Sequence, residues 1–103
     1  MAPTWSGPSG QAFAQLVYER LAGVEGLRTD VRQLDPEVST PASFIVDISW
    51  FGGGVLCEVA DSIEGVRVMD AHAEDVTTDA ALRYIAARTA GASKSTAWRQ
   101  AGR

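Results

Sequence analysis

The sequence predicts an α+β fold: a two-layer domain with a four-stranded, mainly antiparallel sheet and two helices, in the order helix-strand-strand-strand-strand-helix. Three observations predict it. Apolar residues recur at helical spacing near each end, at Phe13, Leu16, Val17, Leu21 and Val24 and again at Leu82, Ile85 and Ala86. Between them, short runs alternate apolar and polar residues and are separated by glycine and proline. The chain has 103 residues, 46% apolar and 21% charged, which is the size and composition of one globular domain with one modest core.

The elements follow in order. Met1 to Gly10 carries Pro3, Gly7, Pro8 and Gly10 and reads as an extended N-terminal arm (residues 1–10). Trp5 stands out there, because so large an aromatic packs either on its own domain or on another subunit. Ser9 is the N-cap of a first helix over about residues 10–23, stopped by Gly23 and Gly26. Leu27 to Leu34 alternates as a strand with one wet face, and Asp35 to Pro41 is a polar, proline-bearing link. Phe44 to Phe51 is the most apolar strand, with Phe44, Val46, Ile48 and Trp50 in phase and Asp47 and Ser49 on its second face. Trp50 and Phe51 therefore point to opposite faces, Trp50 toward a core and Phe51 toward a contact with another molecule. Gly52-Gly53-Gly54 turns the chain into a third strand, Val55 to Ala60, and Glu64-Gly65 into a fourth, Val66 to His72. A second helix starts at Thr77 or Thr78 and ends at Gly91, closing the domain at residues 11–91. Residues 92–103 form a basic C-terminal tail without clear periodicity.

Charge divides the chain unevenly. Residues 1–82 hold all thirteen acids and four arginines, a net of −9, whereas residues 83–103 hold five bases and no acid. Such asymmetry suggests a tail that docks on an acidic surface, its own or a neighbour's, or that contacts nucleic acid; bases at a helix C-terminus followed by a solvated tail are the plainer alternative. Direct DNA recognition by the whole domain is disfavoured, because an acidic surface repels phosphates. No apolar run approaches the roughly 20 residues that span a bilayer, and the start lacks a basic flank and apolar stretch, so no membrane partner and synthesis in the cytoplasm are expected.

Candidate chemistry is sparse. On a strand, Asp70, His72 and Glu74 share a face, but alternate positions splay apart rather than converge on a metal. His72 is the only histidine, with no recognisable orienting partner for acid/base work. Cys57 is in phase with Val55 and Val59, which makes it an inert core thiol rather than a nucleophile. Asp47, Glu58 and Asp61 resemble the carboxylates of a metal-dependent nuclease, yet the only lysine, Lys94, lies far away in the tail. The triple glycine precedes a strand and is not a phosphate loop. No catalytic residue, metal or cofactor is expected, and what remains is an interaction surface, for which Trp5, Phe51, Met69, Trp98 and Arg99 are the candidates.

The strand ending in Trp50-Phe51-Gly52-Gly53-Gly54, the spacer with Asp61, the run Gly65-Val66-Arg67-Val68-Met69-Asp70-Ala71-His72-Ala73-Glu74-Asp75 and the helix opening Thr78-Asp79-Ala80-Ala81-Leu82 come in an order that resembles the tail terminator proteins of long-tailed actinobacterial phages, across about residues 11–91. The resemblance implies a non-enzymatic virion protein: a small subunit of a homohexameric ring at the head-tail junction that stops growth of the tail tube and meets the tail tube protein and the head connector protein. DNA would pass through the ring without specific binding, and Asp70, Glu74 and Asp75 are candidates to line the lumen, where carboxylates repel phosphates. The alternative is an acidic protein-binding module, such as an immunity protein or inhibitor that occupies the basic site of a nuclease.

Overall fold

Ser9 caps the first helix as its sequence position implies, its hydroxyl accepting the Ala12 N–H at 3.1 Å. In the computed structural model, which describes residues 9–34, 43–60, 63–70 and 72–102, this helix is α1 (Gly10–Arg20). It ends a turn before Gly23, because the Leu21 N–H already closes on the Val17 carbonyl while Leu21 itself leaves helical geometry. Gly10 sits in the first turn hard against the sheet; a Cβ there would come within 2.8 Å of Phe44 and 2.9 Å of Val31. The missing side chain lets α1 lie that close.

Five strands follow among the described residues: β1 (Arg28–Gln33), β2 (Ser43–Trp50), β3 (Gly53–Ala60), β4 (Val66–Asp70) and β5 (His72–Val76). Each pairs antiparallel with the next in the order β1-β2-β3-β4-β5. The molecule is thus α+β, with two differences from the sequence-based expectation in this region. The fourth strand does not run through His72: the chain reverses so that Asp70 pairs with His72 and Val66 with Val76, giving a fifth strand. The turn after β2 is also shorter than three glycines, since Trp50 pairs with Gly53 and only Phe51 and Gly52 lie between them. Gly53 accommodates the Trp50 ring, whose atoms would stand 3.1 Å from a Cβ on it.

Cross-strand partners share a face of the sheet. The register therefore places Val31, Val46, Cys57, Val68 and Glu74 in one row and Ile48 and Val55 beside it, all on the face that carries the helices. The apolar members of this face close on Phe13, Val17 and Leu21 of α1 and on Ala81, Leu82 and Ile85 of α2 (Thr78–Thr89). Val46, Ile48, Cys57, Val59, Val66 and Val68 are fully buried, worth roughly 1.5–3 kcal/mol for each large aliphatic side chain. Thr77 caps α2 by accepting the Ala80 N–H.

Residues 92–103 are not merely a basic tail. Ser93 caps a third helix, α3 (Lys94–Gln100), in which Ala97 and Ala101 are buried at i, i+4 spacing. Trp98 lies between them in sequence and stacks on Tyr84 of α2 at a centroid distance of 4.0 Å. The tail thus belongs to the helical layer. No described helix is long and apolar enough to cross a membrane.

Candidate interaction surface

The helices cover one face of the sheet, and the register sends the other side chains to the opposite face. There Arg28, Asp30 and Arg32 of β1 stand beside Ser49, Asp47 and Ile45 of β2, then Leu56 and Glu58 of β3, Arg67 and Met69 of β4, and Ala73 and Asp75 of β5. At one end of this face Ser43, Ile45 and Ala60 are buried; toward the β2–β3 turn Asp47 and Leu56 are exposed and Met69 half-buried beside Leu56. Phe51 crowns that end. Its side chain is 82% exposed, while its backbone is held by an N–H donated to the Glu25 carbonyl at 3.0 Å. A fixed backbone presenting a bare aromatic is a contact geometry.

Charges on the open face alternate in sign across β3, β4 and β5. Arg67 bonds Asp75 through two nitrogens, at 2.7 and 3.2 Å, and reaches Glu58 at 3.5 Å. The guanidinium holds the Asp75 carboxyl below its ordinary value. At the other edge Asp30 lies directly opposite Asp47, with Arg28 and Arg32 flanking Asp30 on its own strand. Arg28, Thr29, Asp30, Asp47 and Ser49 line a shallow depression of about 340 Å³ there. A second groove of about 330 Å³ runs between α1 and β1, past Gln11, Gln15 and Tyr18. Tyr18 bridges it: its hydroxyl accepts the Thr29 N–H at 3.2 Å, which holds the phenol below its usual pKa.

The remaining candidates fall on the helical side. Asp70, expected to line a lumen, turns instead into the interior, its side chain only 10% exposed. It accepts the Tyr84 hydroxyl, Arg88 Nε at 3.3 Å and Lys94 Nζ at 3.3 Å. Desolvation pushes its carboxyl up, but the bonds from Tyr84, Lys94 and Arg88 outweigh that and hold it below the usual carboxylate value. Burial raises Tyr84 in turn, helped by its bond to Asp70. The basic tail therefore docks on an acid of its own chain, one of the options its charge left open. Trp98, expected at a subunit contact, is engaged by Tyr84 instead, whereas Arg99 is exposed.

His72 is exposed and its Nε2 lies 3.4 Å from Glu74; Glu74 is half-buried. Asp70, His72 and Glu74 share a face, but across the β4–β5 reversal rather than along one strand, and no group of three metal-ligating side chains converges among the described residues. Cys57 is wholly buried, and desolvation, with a smaller push from Asp70, raises its thiol to about 12. Trp5 and Asp61 lie outside the described residues. Residue patterns missed Tyr84 and Arg88, which sit off the apolar stripe of α2; their signal was the small-residue spacing of Ala97 and Ala101, which marks a helix packed on that side.

The arrangement offers shallow polar depressions and a mixed-charge face, together with an exposed aromatic. No family model matches the chain, and no curated protein or solved structure matches it.

Proposed function

We propose that this protein is a structural virion subunit that forms a ring at the head-proximal end of a phage tail tube, ends tube growth and joins the tube to the head connector. The observation that carries the reading is the surface left free among the described residues: the sheet face away from the helices, exposed toward the β2–β3 turn although Ser43, Ile45 and Ala60 are buried at its other end, with Phe51 82% exposed at the tip on an anchored backbone. Surfaces of this kind suit association between copies and neighbours rather than turnover. The resemblance of residues 11–91 to tail terminators supplies the particular assembly. The role needs no cofactor and no catalytic group, and DNA would pass without being read.

An acidic inhibitor of a basic nuclease is less well supported. The open face interleaves Arg28, Arg32 and Arg67 with Asp30, Asp47, Glu58 and Asp75, so it does not present the one-signed field that such a partner rewards. Electron microscopy and mass photometry of the protein, alone and with tail tubes from the same phage, test the proposal. Rings, or a collar at one end of the tubes, support it. A chain that stays monomeric with and without tubes and is absent from particles overturns it, and a tight one-to-one complex with a nuclease favours the inhibitor instead.

A further inference from the structure

The open sheet has two edges of different character. On the uncovered face the row Glu58–Arg67–Asp75 alternates in sign across β3, β4 and β5 and stops at the β5 edge on a carboxylate. The opposite edge, β1, presents Arg28 and Arg32 on that same face, one on either side of Asp30, and neither arginine is in an ion pair among the described residues. One edge ends on a carboxylate where the other carries two arginines against one aspartate.

Beyond Thr29, whose N–H is already held by Tyr18, the β1 backbone can accept a further strand. Leu34 N–H bonds inward to Ser43, whereas Thr29 N–H points outward to Tyr18. Antiparallel alternation then turns the backbone groups of Val31 and Gln33 outward as well. Within Arg28–Gln33 there is no proline to block an added strand. The groove between α1 and β1 leaves room beside it.

We propose that copies of this chain join head to tail through these edges, β5 of one copy lying beside β1 of the next. Asp75 then meets Arg28 or Arg32 of the next copy, and the alternation of charge runs on across the junction. Strand direction is fixed by the count. In an antiparallel meander of five strands β1 and β5 run the same way, and rotation about a ring axis along the strands does not reverse them, so the new pairing is parallel. A symmetric β5–β5 junction is disfavoured because it sets Glu74 and Asp75 against their own copies. The inference rests on the ring reading above and assigns its interface.

The test uses two full-length variants. Arg28→Glu/Arg32→Glu makes β1 acidic; Asp75→Arg makes β5 basic. Alone, each opposes like charges at every junction, and association should weaken about tenfold or more. Mixed one to one, each β5 edge again faces a β1 edge of opposite sign, and assemblies should re-form with the two variants alternating. Mass photometry reads both, and circular dichroism confirms that each variant is folded. Should Asp75→Arg fail to fold, Ala73→Arg adds the charge to the same face of β5 while keeping the Arg67–Asp75 pair. If either variant alone assembles as the unaltered chain does, or the mixture does not recover, the edge pairing is wrong and the ring reading stands. If the unaltered chain itself never associates, both fall.

Discussion

Asp70 receives donors from two helices at one end of β4: Tyr84 and Arg88 from α2 and Lys94 from the first turn of α3. Its folded-state pKa is lowered, so the unfolded chain binds the extra proton as the medium becomes acid. The stabilisation from Asp70 is accordingly full above its unfolded value of about 4 and is lost as pH falls through the lower folded value. Asp75 shifts in the same direction but is half exposed, so its share is smaller. Urea unfolding as a function of pH should show stability falling below about pH 4, with a shallower fall for Asp70→Asn. At neutral pH that variant should be less stable by about 1.5–3 kcal/mol, because hydrogen bonds to a charged acceptor are lost; a variant as stable as the unaltered chain would show the cluster to be ornamental. Cys57 makes a second residue-scale prediction. With its thiol raised to about 12 in a fully buried site, it should resist thiol reagents at mildly alkaline pH and react only as fast as the protein unfolds. Rapid labelling of the folded protein would place it at an accessible site instead.

At the scale of elements, β4 enters through Gly65, which has φ +100° and would bring a Cβ within 2.2 Å of the Val76 carbonyl oxygen. Gly65→Ala should therefore cost roughly 2 kcal/mol or more, from a strained left-handed backbone and from displacement of β5; differential scanning calorimetry would read the loss. Trp98→Ala tests α3, and the expected loss is about 2 kcal/mol, less than for a wholly buried tryptophan, together with the near-ultraviolet dichroism of the stacked rings. These two elements also show why parts of the fold were harder to read. Where a cap or a positive-φ glycine punctuates the chain, as at Ser9, Thr77 and Gly65, the pattern locates the element. The reversal between Asp70 and His72 has neither glycine nor proline, and Val66 to His72 alternates like one strand. In α3 only seven residues are helical, too few for a periodicity to declare itself, and its stability comes from Tyr84 and Asp70, far away in sequence. The candidate site divides for the same reason. Met69 could be placed from phase on a well-punctuated strand; Phe51 is exposed, but from the β2–β3 turn rather than from the strand whose phase was read, and Trp98 and Asp70 depended on a helix that local pattern did not announce.

For the whole molecule, all three helices lie on one face of the sheet, and every fully buried aliphatic side chain of the core faces them. The surface proposed for association is thereby set apart from most of the core: the helical side holds the fold, and among the described residues the β2–β3 end of the opposite face and the tip itself point outward, while Ser43, Ile45 and Ala60 are buried at that face's far end. Phe51 is the sharpest test of that separation, because its backbone N–H is used by Glu25 while its ring touches little. A substitution that removes the ring and keeps the backbone should leave the fold alone, so Phe51→Ser should change unfolding free energy by less than about 0.5 kcal/mol. Aromatic anchors at the centre of an interface carry about 2 kcal/mol or more, enough to weaken association about thirtyfold or more. On the proposed role, the expected outcome is a protein with unaltered urea midpoint that leaves tail tubes uncapped where the unaltered chain caps them, read by counting collared tube ends in electron micrographs at matched protein concentration. Equal capping by Phe51→Ser would remove the tip from the contact and leave the sheet edges as its remaining route; a lowered midpoint would mean that the ring is held by its own chain, and the separation of the two sides would fail with it.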